Sequence, residues 1–189
     1  MKSLLAGLMI LIPFISVSQS TNTADKFSIT PEGFTQSVVR EYTGKTDSDL
    51  YESIILWAKY TIDNYESAIV RDVSNEYIEF RMFVPQGIAL EEDGEVYKWD
   101  VMMEVGFRLR DQEIRYDIGL VEVSSPDAPT FALEGAPNEW SFFDNDGQTR
   151  SLNEKSQEQI NLIANNVIRS VSAYVNRDAE IPEEEISDE

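Results

Sequence analysis

The sequence predicts a two-layer α+β domain: a curved five-stranded antiparallel sheet with two helices on one face, in the order β-α-β-β-β-β-α. Three observations carry this expectation. In Val96 to Arg110, the apolar residues Tyr97, Trp99, Val101, Met103, Val105, Phe107 and Leu109 alternate with mostly charged ones. Such alternation sets one face on a core and the other toward water, the pattern of an antiparallel sheet. Leu50, Ile54, Trp57, Ala58 and Thr61 recur at helical spacing, and Ile160, Ile163, Ala164, Val167, Ile168 and Val171 make a second stripe. Laying both stripes on one sheet face is the simplest way to bury them.

The elements follow in order. Met1 to Ser18 has a lysine, an apolar stretch broken by Pro13, and small residues at Ser16 and Ser18. This reads as an export signal cleaved before Gln19 rather than a membrane span, which needs about 20 apolar residues. Residues 19–33 form a polar leader, and Phe34 to Tyr42 a first strand. Thr46 and Asp49 are spaced as a capping box for a helix over 47–63. Strands are expected at Ser67 to Val73, Tyr77 to Val84, Val96 to Arg110 and Gln112 to Val123. Residues 124–150 read as one long loop, with three prolines, two glycines, Trp140, Phe142 and Phe143. Ser151, with Glu154 three residues on, caps a second helix running to about Asn176. The single domain spans 34–177, and the acidic segment 178–189 is expected to be a disordered tail, because like charges repel and little in it can be buried.

Charge and composition bound the function. The formal charge is −20, and losing Lys2 with the signal makes it −21. Such a chain repels a phosphate backbone, so no nucleic-acid partner is expected. Neither histidine nor cysteine occurs. That removes the usual proton shuttle, the thiol nucleophile, disulfides and the commonest zinc ligands. It also excludes a lipoprotein anchor, which acylates a cysteine. The expected location is the periplasm or the extracellular space, with no membrane span after cleavage.

The block LYESIILWAKYTIDNYESAIVRDV, Leu50 to Val73, and the strand pair VMMEVGFRLRDQEIRYDI together resemble the domain of unknown function 4468 family, exported proteins of Bacteroidota with a TBP-like fold. The resemblance covers about residues 34 to 123. It implies the same element order and a cell-envelope setting, and it carries no catalytic residues across. A DNA-binding role from fold analogy alone does not follow, because fold does not fix function.

The sequence offers four candidate sites. In the hairpin, Leu109 and Ile114 both face inward, which sets Phe107 opposite Tyr116 and Arg108 opposite Arg115. Arg81 shares their outward parity. Like charges directly opposite on a sheet are unfavourable, so neighbouring carboxylates such as Glu79, Glu104 or Asp117 are expected to pair with them; the alternative is a bound anion. Trp140, Phe142 and Phe143 form the second candidate. They would grip a sugar or peptide, or else fold the loop over an apolar patch where the same register sets Met102 opposite Val121. Third, Asp144-x-Asp146-Gly147 echoes a calcium loop, but Phe142 and Asn153 stand where the first and last carboxylates belong, so no metal is expected. Fourth, acidic pairs for glycan hydrolysis are available by number alone and are unspecific. There is no Gly-x-Ser-x-Gly elbow and no phosphate loop.

These readings predict a non-catalytic binding or interaction module of the envelope, without a cofactor. Its partner would be an envelope protein, a glycan or a small molecule. The alternatives are a carboxylate-based glycan hydrolase and a carrier whose apolar pocket is lined by Tyr51, Trp57, Trp99, Phe107 and Tyr116.

Overall fold

The computed structural model describes residues 24–34, 37–135, 140–149 and 151–177. The expected signal, the start of the leader and the acidic tail lie outside the described residues. Described elements begin with β1 (Ile29–Thr30) and β2 (Gly33–Phe34), a small hairpin, followed by β3 (Val38–Glu41) and α1 (Asp47–Thr61). A single helical turn, α2 (Tyr65–Ala68), leads into β4 (Ile69–Val73). Then come the long strands β5 (Tyr77–Glu92), β6 (Glu95–Arg110) and β7 (Glu113–Ser124). A parallel pair, β8 (Phe131–Gly135) and β9 (Trp140–Asp144), precedes α3 (Ser151–Val175). The main sheet is antiparallel in the order β3-β7-β6-β5-β4, with α1 and α3 packed on one face. This is the expected two-layer α+β architecture.

Local chemistry sets the boundaries. Thr46 caps α1 as expected: its side chain accepts from the Asp49 N–H, and the Asp49 carboxylate accepts from the Thr46 N–H at 2.8 Å. The Thr46 N–H first, then the Thr46 hydroxyl donating to the same carboxylate oxygen at 2.8 Å, hold the Asp49 carboxyl below its usual value of 3.8. The first strand is shorter than expected, because Phe34 belongs to the preceding hairpin and packs edge-on against Phe27. Ser67 and Ala68 lie in the α2 turn that follows left-handed Asn64, so β4 starts at Ile69. The leader also enters the domain: Phe27 and Ile29 are buried. Their N–H groups donate to the side-chain oxygens of Asn165 (2.9 Å) and Asn161 (2.7 Å) on α3.

Pro85 does not end its strand, contrary to the expected stop at Val84. A bulge between Val84 and Ile88 takes up Pro85, Gln86 and Gly87, and pairing with β6 resumes at Ile88. Bulges are where a sheet tolerates proline. Gly87 is required there, because a Cβ would stand 2.9 Å from Val101 Cγ2 and 3.0 Å from Ile163 Cδ1.

The core has two aromatic centres. Trp57 meets Phe80 and Phe107 edge-on, and Phe107 meets Tyr116 at 5.5 Å. Its polar atoms are satisfied: Trp57 Nε1 donates to Ser170, and the Tyr42 hydroxyl lies 2.7 Å from both Tyr116 and Ser172 hydroxyls. Burial pushes the Tyr116 phenol far up. Trp99 belongs to the second centre, with Tyr97, Phe131 and Trp140. Eight residues along one strand, about 26 Å, separate Trp99 from Phe107. Four of the residues expected to line one apolar pocket therefore divide between two aromatic groups of one packed core, and Tyr51 packs at its edge, bonded to Asp72.

Candidate functional site

Both helices lie on one side of the main sheet, which leaves its other face open. The register there is as expected: Phe107 is opposite Tyr116, and Arg108 is opposite Arg115. Arg81 is opposite Glu104 and pairs with it. Arg115 Nε reaches Asp117 at 3.3 Å. Arg108 is offset differently. Its guanidinium lies 5.8 Å from the centre of the Tyr77 ring, and Arg71 lies 5.3 Å from the same ring. Cation–π attraction replaces an ion pair for both. No carboxylate makes a salt bridge to Arg71 or Arg108 among the described residues. Burial, then the Glu79 carboxylate, raises the Tyr77 phenol, while Arg108 opposes the shift. Gly106 makes this layering possible, because a Cβ there would come within 2.7 Å of the Tyr77 oxygen.

Beyond the arginines, the open face turns apolar. Phe83 is opposite Met102 and is 58% exposed. Here the uninterrupted register fails. A shift between Met102 and Met103 makes Val121 an extra residue and sets Met102 opposite Glu122, not Val121. Val121 stays exposed. Nor does the aromatic loop cover this patch. Trp140 packs on Tyr97 (5.2 Å) and Trp99 (5.0 Å), which face inward, so the loop extends the helix-covered side. Phe131 stacks edge-on against Trp99 and Phe142, and Trp99 Nε1 donates to the Pro129 carbonyl at 2.7 Å. Trp140, Phe142 and Phe143 are thus buried and offer little surface to a partner. Asp144 closes the following turn, accepting from the N–H groups of Asp146 (3.0 Å) and Gln148 (2.8 Å).

Two surface grooves accompany these features, and sequence reasoning had identified neither. One, of about 670 Å³, runs beside β7 between the β1–β2 hairpin and β8. The other, of about 650 Å³, lies between the leader and α3, near Arg40 and Arg169. The Asn161 and Asn165 pair, one helical turn apart, was the available signal for the second. No group of three or more potential metal ligands occurs among the described residues. No helix among them is long and apolar enough to cross a membrane.

An α+β sheet open on one face defines the class, and solved structures share it. A TBP-like protein from Parabacteroides distasonis superposes with a TM-score of 0.50 at 11% identity, over 75% of this chain and 91% of its own. A domain of unknown function 4468 family protein from Bacteroides ovatus gives 0.53 at 9% identity, over 77% and 88%. The chain therefore has the TBP-like fold that the sequence resemblance implied. No family model and no curated protein matches the chain.

Proposed function

We propose that the chain is an exported, non-catalytic binding module of the cell envelope, working in the periplasm or outside the cell, that engages a partner on the open face of its sheet. One observation carries this reading. The open face carries exposed Phe83 and Val121 with half-buried Met102 and, about 20 Å along the same strands past the Arg81–Glu104 pair, Arg71, Tyr77 and Arg108. Aromatic residues, methionine and arginine are the types enriched where protein surfaces meet. The formal charge of −20 and the signal-like start support an exported role without nucleic acid.

Site-specific photocrosslinking in cells tests this. A crosslinker at Phe83 is expected to give a discrete adduct that is lost in Arg108→Glu. A crosslinker at exposed Tyr60, on the helix side, is expected to give none. Equal adducts from both positions, or none from Phe83, would overturn the reading.

A further inference from the structure

The second surface is the edge of β7. Strand β3 pairs with β7 only from Glu113 to Tyr116, and among the described residues no strand continues that edge toward Ser124. The direction of the free groups follows from the register. The Tyr42 N–H donates to the Gln112 carbonyl at 2.7 Å, in the same register as Arg40 with Ile114 and Val38 with Tyr116. Even-numbered residues of β7 therefore turn their main-chain groups away from β6. Ile118 and Leu120 continue this alternation past the end of β3, so each presents an N–H and a C=O to the groove of about 670 Å³. Val121, the extra residue of the bulge, then breaks the alternation.

We infer that this edge is a strand-addition site for an extended segment of a partner protein carrying lysine or arginine. Main-chain pairing to a sheet edge supplies affinity, and pockets for alternate side chains supply selectivity. Phe34, Phe131 and Leu133 offer apolar walls on the groove. The charged residues lining it are Glu32 and Glu122, both exposed and both acidic. A cleft of one sign attracts the opposite charge. A second copy of the chain fits poorly, because pairing edge to edge would bring the same two carboxylates of each copy together. A glycan lacks the alternating amide groups the edge is built to meet. The inference rests on the binding-module reading but uses neither Phe83 nor Arg108, so the two surfaces fail separately.

The test uses the signal-free chain and labelled short peptides of alternating valine and lysine, of valine and glutamate, and the lysine peptide with a central proline. The lysine peptide is expected to bind saturably, and the glutamate and proline forms at least about tenfold more weakly. Amide exchange at Ile118 and Leu120 should slow on binding. Leu120→Pro removes an edge donor that does not face β6 together with a half-buried side chain, so Leu120→Ala, which keeps the N–H, is its control, and the proline variant should bind about tenfold more weakly than the alanine one. The exposed pair Glu32→Lys and Glu122→Lys, which leaves the core untouched, should reverse the peptide preference. Equal binding of lysine and glutamate peptides, protection confined to the open face, no saturable binding, or a dimer abolished by Leu120→Pro would each overturn the inference. Failure here with Phe83 adducts intact removes this site alone; absence of Phe83 adducts with lysine-peptide binding intact removes the open-face reading alone.

Discussion

Replacing Trp140 with alanine decides whether the segment between β7 and α3 is core or clasp. The ring is 8% exposed and touches Trp99 and Tyr97 at 5.0 and 5.2 Å between centroids. An aromatic side chain of this kind buries about 150–250 Å². At about 25 cal/mol per Å², that corresponds to roughly 4–6 kcal/mol, an upper value because the unfolded chain already buries some of it. Truncation of buried tryptophan accordingly costs about 3–5 kcal/mol. A surface aromatic held ready for a ligand would change stability by no more than about 0.5 kcal/mol. The assay is urea unfolding followed by far-UV circular dichroism, comparing midpoints at equal slope. A loss of at least about 3 kcal/mol is expected. A loss below about 1 kcal/mol, with the slope unchanged, would refute the packing argument. Phe142→Ala, at a fully buried position, should behave alike.

Gly106→Ala should drive Tyr77 off the sheet, because the new Cβ would meet its oxygen at 2.7 Å and two ring carbons at 3.3 Å. The gain from replacing a strand glycine, about 0.5–1 kcal/mol, is then offset by two lost cation–π contacts of similar size. Stability near wild type with displaced Tyr77 and Arg108 resonances is expected. The full gain with those resonances unmoved would count against the layering. Tyr51 gives a pH prediction. Burial first, then its hydrogen bonds to Asp72, push its phenol from 10.0 to about 12. Because the folded value is the raised one, the stabilisation is complete below pH 10 and is lost as pH rises through about 12. Tyr51→Phe should flatten that part of the stability profile, and an unchanged alkaline profile would refute the assignment.

Legibility followed burial geometry. Strand β6 could be read from its sequence because one of its faces is core and the other open, and only then does period-two alternation appear. In β9, Trp140, Ser141, Phe142 and Phe143 are all buried. A strand covered on both sides shows no alternation, so its sequence reads as loop. Pro85 reads as a stop because the bulge that houses it depends on its partner strand. Val121 escapes for the same reason: a register counted from inward-facing Leu109 and Ile114 assumes that no residue is inserted. The outward arginines followed from parity alone. The free edge of β7 did not, since it exists only because β3 begins at Val38.

The two surfaces select opposite charges, and the reason lies in how the arginines are offset. Arg81 and Arg115 already hold carboxylates, so an incoming anion would have to displace Glu104 or Asp117. Arg71 and Arg108 rest against the face of a tyrosine, and a guanidinium stacked on a ring keeps its N–H edges free for a planar acceptor. A carboxylate arriving there breaks no internal ion pair. At the β7 edge the reverse holds: Glu32 and Glu122 meet a cation without giving up a salt bridge among the described residues. A single uniformly charged segment therefore cannot satisfy both surfaces, and the surrounding charge of −20 slows an acidic partner while favouring a basic one. Raising the salt concentration should accordingly weaken lysine-peptide binding at the edge, since those charges are exposed, and should also weaken the Phe83 adduct, since Arg108 is exposed as well.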